Sequence, residues 1–161
     1  MDIRKTRRED LPAAAALYEQ SRRFMAEHDN PDQWGTLWPP LNVLEEDIEN
    51  GCSYVCEEEG EILAVFLFVP GPDPYYEELD TEWLNDRPYH VVHRLATGGN
   101  RRGAGAFCLN WCFERCGNLR IDTHEANLPM RRLLLKLGFQ PCGITQADDG
   151  TPRLAFQKSK L

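Results

Sequence analysis

The stretch that most constrains this chain is residues 93–116. It opens with His93-Arg94-Leu95-Ala96-Thr97, which reads as the end of a strand. Gly98-Gly99-Asn100-Arg101-Arg102-Gly103-Ala104-Gly105 follows, a loop with four glycines and two arginines, and residues 106–116 read as a helix. Strand, basic glycine loop and helix N-terminus in that order offer bare backbone N–H groups to a phosphate. Glycine lets the chain come close, and the aligned peptide dipoles add partial positive charge. The predicted use is a diphosphate cradle. Two nucleotide-binding classes do not fit. The Walker loop ends in Gly-Lys-Ser/Thr, and Ala104-Gly105-Ala106 stands in that place. The dinucleotide fingerprint opens a βαβ fold with a third glycine. Here Gly103-Ala104-Gly105 lies late in the chain and Cys108 takes the third position. A plain connecting loop and an unrelated phosphate-binding module are the alternatives this stretch leaves open.

The residues downstream narrow the choice. Asn118-Leu119-Arg120-Ile121-Asp122 reads as a short strand and Thr123-His124-Glu125-Ala126-Asn127 as a turn. Residues 128–137 read as a helix closed by Gly138-Phe139. The glycine loop and the Asn127…Leu137-Gly138-Phe139 helix, in this order and spacing, resemble the signature elements of the GNAT superfamily of acyl-CoA-dependent N-acyltransferases. The motifs cover residues 89–145, and the order of elements upstream fits as well. The whole chain, 1–161, is therefore expected to form a single GNAT-type acyltransferase domain. The resemblance implies a mixed α/β (α+β) fold with a central mixed, mostly antiparallel sheet flanked by helices. It also implies transfer of an acetyl group from acetyl-CoA to a primary amine, by direct attack in a ternary complex.

Site residues follow from the resemblance. It implies that the strand ending in Leu95-Ala96-Thr97 splays from the strand at 118–122. Backbone groups of Leu95 and Thr97 would bond the pantetheine arm, and a backbone N–H there would polarise the thioester carbonyl. The diphosphate would lie on N–H groups of Arg101, Arg102, Gly103, Ala104, Gly105 and Ala106. The guanidinium groups of Arg101 and Arg102 suit phosphate oxygens. Anchoring the motif on Gly103 and Gly105 puts Asn100 where the family has Arg or Gln. Sliding it two residues puts Arg102 there but Phe107 at the last Gly/Ala, and the first alignment keeps Phe107 for the core. Asn127 matches a cofactor-contacting asparagine and can also cap the helix after it. Most family members carry a tyrosine four residues before the glycine of Leu-Gly-Phe, as acid for the leaving thiolate. Leu134 stands there, so the usual acid is missing. Water, Cys142 or unassisted departure are the remaining routes, and a non-catalytic acyl-CoA-binding or sensing domain is the rival reading.

For a catalytic base the first choice is His93. Strand alternation puts it on the face of Leu95, and an imidazole with intrinsic pKa near 6.5 relays protons around neutrality. A strand histidine held by a hydrogen bond is the plainer alternative, and Glu82 is second choice. Trp34, Trp38 and Trp83 are candidates to box the acceptor's apolar or cationic part.

Charge is divided along the chain. Residues 1–90 carry 21 acidic and 7 basic side chains, and residues 91–161 carry 5 and 11, giving −14 and +6 within the total of −8. The basic half suits a polyanionic co-substrate. The acidic half suits a cationic, small-molecule or peptide amine and argues against nucleic acid. No run approaches the roughly 18 apolar residues of a membrane span, and Met1-Asp2-Ile3-Arg4-Lys5 leads into no apolar signal core. The expected compartment is cytoplasmic. The six cysteines include Cys108, Cys112 and Cys116 on one helix face and no Cys-x-x-Cys pair. Free thiols and no metal site are expected. The oligomeric state stays open, a homodimer included.

The remaining elements are read from pattern. A strand is expected at 2–6. A helix is expected up to 27, capped by Asp10, with Ala14, Leu17, Tyr18, Ser21, Phe24 and Met25 as its inner stripe. A second helix spans 41–50, and strands lie at 53–58 and 61–70, the second apolar on both faces. Residues 71–88 are rich in proline, acid and aromatics and are expected to form a lid or wall of the acceptor cleft. Strands at 140–145 and 151–157 close the chain as a hairpin.

Overall fold

The computed structural model describes residues 1–77, 82–98, 103–147 and 149–160. In chain order the regular elements are β1 (Asp2–Lys5), α1 (Leu11–Glu27), α2 (Leu41–Glu49), β2 (Ser53–Glu58), β3 (Glu61–Pro70), β4 (His90–Thr97), α3 (Ala104–Cys116), β5 (Asn118–Thr123), α4 (Leu128–Lys136), β6 (Gln140–Gln146) and β7 (Pro152–Ser159). The strands form one seven-stranded sheet in the order β1-β2-β3-β4-β5-β7-β6. β1–β2, β2–β3, β5–β7 and β6–β7 pair antiparallel, and β4–β5 pairs parallel. A parallel neighbour needs a crossover, and α3 supplies it. This is the mixed, mostly antiparallel sheet with helices that the sequence implied. The chain separates into two compact units, 1–68 with 93–109 and 69–92 with 110–161.

In the first unit, Ala14, Leu17 and Tyr18 of α1 meet Leu44 of α2, Val55 of β2, Val65 of β3 and Ala96 of β4 in one buried cluster, with Trp34 packed on its margin. The inner stripe of α1 ends sooner than its spacing suggests. Ser21 and Met25 are only half-buried, while Phe24 is 47 % exposed and stacks on His28. The last turns of α1 therefore extend beyond the core. In β3 every residue from Leu63 to Phe68 is buried, as a strand covered on both faces requires. Glu59 and Gly60, at φ 52° and 80°, make the tight turn before it.

Asp10 does not cap α1 with its side chain. Its carboxylate accepts from Arg4 Nη1 at 2.7 Å, Arg4 Nη2 at 3.0 Å and the Arg7 N–H at 2.7 Å. Hydrogen bonding to the Arg4 guanidinium holds the Asp10 carboxyl below the usual carboxylate range. A depressed carboxyl stabilises the fold above its unfolded pKa of about 3.9, and that stability is lost as pH falls. Asp10→Asn should therefore cost about 1 kcal/mol at pH 7, given the water that reaches the pair, with the gap to wild type closing toward pH 3. Thermal melts at the two pH values check this, and an equal loss at both would contradict it.

The second unit has its own core of Tyr76, Tyr89 and Val91, with Val69 and Trp83 against it. The described residues between β3 and β4 are tied down by hydrogen bonds to the later strands. The Glu82 N–H donates to Cys142 O and the Leu84 N–H to Gln157 Oε1, both at 2.8 Å. Thr145 Oγ1 donates to Tyr75 O at 2.6 Å, and the Tyr76 hydroxyl donates to Asp122 Oδ2 at 2.5 Å. Arg120 Nη2 donates to Asn85 O at 2.8 Å. All but the Tyr76 bond satisfy loop backbone from β5, β6 and β7. All six cysteines are free, with Cys56, Cys108, Cys112 and Cys142 buried as small apolar residues.

Candidate active site

β4 carries the first part of the site, and its geometry departs from a plain strand. Its parallel pairing with β5 joins His90 to Leu119 and Val91 to Arg120 and ends there. Further on, Arg94 has φ 51°. That left-handed conformation costs a non-glycine residue about 1–2 kcal/mol, and such strain persists only where neighbours hold it. They do so twice. The Tyr18 hydroxyl donates to the Arg94 carbonyl at 2.7 Å, and the Arg94 guanidinium pairs with Asp47 of α2. The Arg94 guanidinium lies 6.0 Å from the Trp38 ring, and the Trp34 ring meets Tyr18 edge-on at 5.6 Å. Burial pushes the Tyr18 phenol well above its ordinary value, so it remains a donor. Trp34, Trp38, Tyr18, Asp47 and Arg94 thus form one cluster in the first unit.

The left-handed turn of the backbone at Arg94 alters one sequence inference. Alternation would place His93 and Leu95 on one face, but it does not carry across a residue in the left-handed region. His93, Arg94, Leu95 and Thr97 are all half-buried, and Ala96 is buried in the core. Beyond β4 the Gly98 N–H donates to Leu63 O at 3.0 Å, and a Cβ on Gly98 would lie 3.2 Å from Leu17 Cδ2. The chain leaves the strand pressed against α1 and β3, at a point only glycine fits without displacement.

Asn100, Arg101 and Arg102 lie outside the described residues. The turn after them is clear. Gly103 has φ 94° with open space where a Cβ would stand, and α3 starts at Ala104, two residues earlier than expected. The first bond of this helix runs from the Phe107 N–H to Gly103 O at 2.9 Å. The N–H groups of Ala104, Gly105 and Ala106 therefore precede the ladder, and the positive end of the helix dipole lies at them. Ala104 is buried and anchors the turn. Phe107, assigned above to the core, is 37 % exposed. Helical periodicity explains the difference: Ala104, Cys108 and Cys112 occupy the inward face. These features fit a diphosphate, since the turn combines N–H groups outside the helix ladder with a glycine that leaves space beside them.

The other candidates lie in the second unit. Asn127 is the N-cap of α4, with Oδ1 accepting from the Met130 N–H at 3.2 Å. His124 Nδ1 accepts from the Ala126 N–H at 3.0 Å and shapes the same turn. Leu134 is fully buried, so the position considered above for the acid of the leaving thiolate is filled by an apolar side chain. Burial pushes the Cys142 thiol up. Glu82 is exposed. Trp83 donates through Nε1 to Tyr76 O at 2.7 Å, and its ring lies 4.2 Å from the Arg120 guanidinium. The Trp83 box thus encloses a cation of the protein itself. Sequence reasoning missed Tyr18, Asp47 and Arg94, because their meeting joins α1, α2 and β4 and leaves no local pattern. Among the described residues no group of three or more His, Cys, Asp or Glu side chains could hold a metal ion, and no helix is long and apolar enough to cross a membrane.

Comparison with known proteins identifies the family. The acetyltransferase (GNAT) family model matches residues 14–139. A GNAT-family acetyltransferase from Streptococcus agalactiae superposes with TM-score 0.88 at 31 % identity, covering 99 % of this chain and 95 % of its own. The ribosomal-protein-alanine N-acetyltransferase of Brucella melitensis gives 0.67 at 21 %, covering 99 % of both chains. The protein yncA of Salmonella typhimurium, solved with its cofactor acetyl-CoA, gives 0.65 at 16 %, covering 99 % of this chain and 94 % of its own. A search of curated proteins finds no match. With four-fifths of its length inside the family match and the strand, turn and helix built as described, the chain belongs to the GNAT acetyltransferases and is an acyl-CoA-dependent N-acetyltransferase.

Proposed function

We propose that this protein acetylates the primary amine of a small molecule or peptide, by direct attack within a ternary complex and within one domain formed by residues 1–161. The observation that carries the reading is the turn from Gly103 into α3, with the N–H groups of Ala104, Gly105 and Ala106 outside the helix ladder. Acetyl-CoA supplies an activated acetyl thioester when bound. In this reading those N–H groups bind its diphosphate, with Asn100, Arg101 and Arg102 beside them. Backbone of Leu95, Ala96 and Thr97 aligns the pantetheine arm, and an N–H of this segment polarises the carbonyl. Asn127 keeps its cap and turns the remaining polar capacity of its amide toward the cofactor. Trp34 and Trp38 line the acceptor side, where the half-buried Arg94–Asp47 pair supplies both signs of charge. Trp83, inside the second unit, is the weaker candidate for this role.

His93 is the proposed base, taking the proton from the attacking amine, with Glu82 second. Two measurements test the reading. Free thiol released from acetyl-CoA is followed with a panel of amines, and turnover with at least one is expected. His93→Gln should lower kcat about 10- to 100-fold and flatten the acid limb of the pH–rate profile, in line with the usual worth of a positioned base. An unchanged rate and profile would remove His93 from the mechanism and turn attention to Glu82.

A further inference from the structure

Arg94 is the residue of β4 whose backbone is held in the left-handed region; two side chains meet it and a third braces one of them. The Tyr18 hydroxyl takes its carbonyl at 2.7 Å. Asp47 takes its guanidinium. Trp34 braces the Tyr18 ring edge-on at 5.6 Å. Tyr18 is almost wholly buried and belongs to the core cluster that also contains Ala96. A phenol in that position cannot swing away without opening the core.

The peptide joining Arg94 to Leu95 is planar and trans, so its C=O and N–H point in opposite directions. Aiming the carbonyl at α1 aims the Leu95 N–H away from α1. We infer that Tyr18 is a positioning residue for catalysis: its bond to the Arg94 carbonyl fixes the peptide plane that presents the Leu95 N–H to the acetyl carbonyl. Asp47 steadies the same residue from the side-chain end. This rests on the proposed use of backbone N–H in the Leu95 segment and adds what fixes its direction. The Tyr18 hydroxyl is the donor that satisfies the Arg94 carbonyl. The helix face that builds the core of the first unit thereby sets the aim of a reacting-site dipole.

A donor misaimed by tens of degrees loses most of its effect on the transition state, while ground-state binding through the rest of the cofactor is kept. Tyr18→Phe removes one hydroxyl and little else. Acetyl-CoA KM and the Kd of CoA should stay within about threefold, while kcat falls about 10- to 100-fold, part of the 10²–10³ that one such donor is worth. Two readouts are independent of turnover. In the unliganded protein the Leu95 amide should exchange with deuterium faster in the variant. In the complex with carbonyl-labelled acetyl-CoA, the thioester C=O stretch, lowered on binding to wild type, should move back toward its value in water. Asp47→Asn should change both in the same direction by less, and it decides the matter should Tyr18→Phe fail to fold. Wild-type kcat and an unmoved C=O stretch in Tyr18→Phe overturn the assignment. So does a fall in kcat with the stretch and the Leu95 exchange both unchanged, which marks a purely structural role. If the stretch is not lowered in wild type either, the proposed backbone polarisation of the carbonyl is itself wrong.

Discussion

Gly105→Asp will abolish measurable acetyl-CoA binding and leave the fold at least as stable. Gly105 is the second residue of α3, inside the turn whose N–H groups precede the helix ladder. A carboxylate there faces the positive end of the helix dipole and gains about 0.3–1 kcal/mol. Replacing glycine inside a helix also removes up to about 1 kcal/mol of backbone entropy cost. The diphosphate would meet that carboxylate as a like charge competing for the same donors. A loss of at least about 100-fold, or roughly 2.7 kcal/mol, is expected. Thermal melts with and without CoA read both effects together. At 100 times the wild-type Kd of ligand the wild type should gain about 2.7 kcal/mol by mass action, and the variant at most about 0.4 kcal/mol, while melting no lower on its own. A variant that binds CoA normally would show that the start of α3 is not the cradle, and the proposed function would lose its main support.

The second large effect concerns Arg120 of β5. Only 3 % of this residue is exposed. Its guanidinium lies 4.2 Å from the Trp83 ring and 3.9 Å from the Tyr89 ring, and Nη2 donates to Asn85 O. Burial pushes its pKa down, the direction expected for a desolvated cation. Arg120→Ala empties the space between two rings and releases the loop before β4. A loss of about 3 kcal/mol is expected, as for other large-to-small changes in packed sites. For a chain of this length that is roughly 6–12 °C in Tm. Arg120→Met should cost much less, about 1 kcal/mol, because it fills the space and removes a buried charge, at the expense of the bonds to the Asn85 carbonyl and the Tyr89 side chain. The order wild type, Met, Ala in melting temperature is the diagnostic. Equal losses for Met and Ala would mean that the charge, with its ring and carbonyl contacts, carries the stability, and that volume does not.

The glycine turn and the Leu-Gly-Phe helix were legible because each rests on local chemistry. Gly103 and Gly138 take left-handed conformations at φ 94° and 91°, which glycine alone adopts at no steric cost. Asn127 caps the helix it precedes. The apolar run in β3 reads directly as a strand covered on both faces. The left-handed turn at Arg94 was not legible, because nothing in an arginine signals a positive φ. A hydroxyl 76 positions earlier in the chain takes its carbonyl. What holds the described part of the loop between β3 and β4 was not legible for a related reason: the side chains that bind it, Arg120, Thr145 and Gln157, lie on later strands.

Residues 93–139 by themselves determined the family to which this chain belongs, through a strand, a glycine turn and a helix in fixed order. Backbone-level recognition depends on glycine, helix start and cap, all set within a few residues of one another. What the tertiary structure decided is the aim of that backbone: the peptide after Arg94 turns on Tyr18 and Asp47, which reach it only when α1 and α2 pack on the sheet. Orientation of a dipole depends on contacts between distant residues, and such contacts exist only once the core has closed.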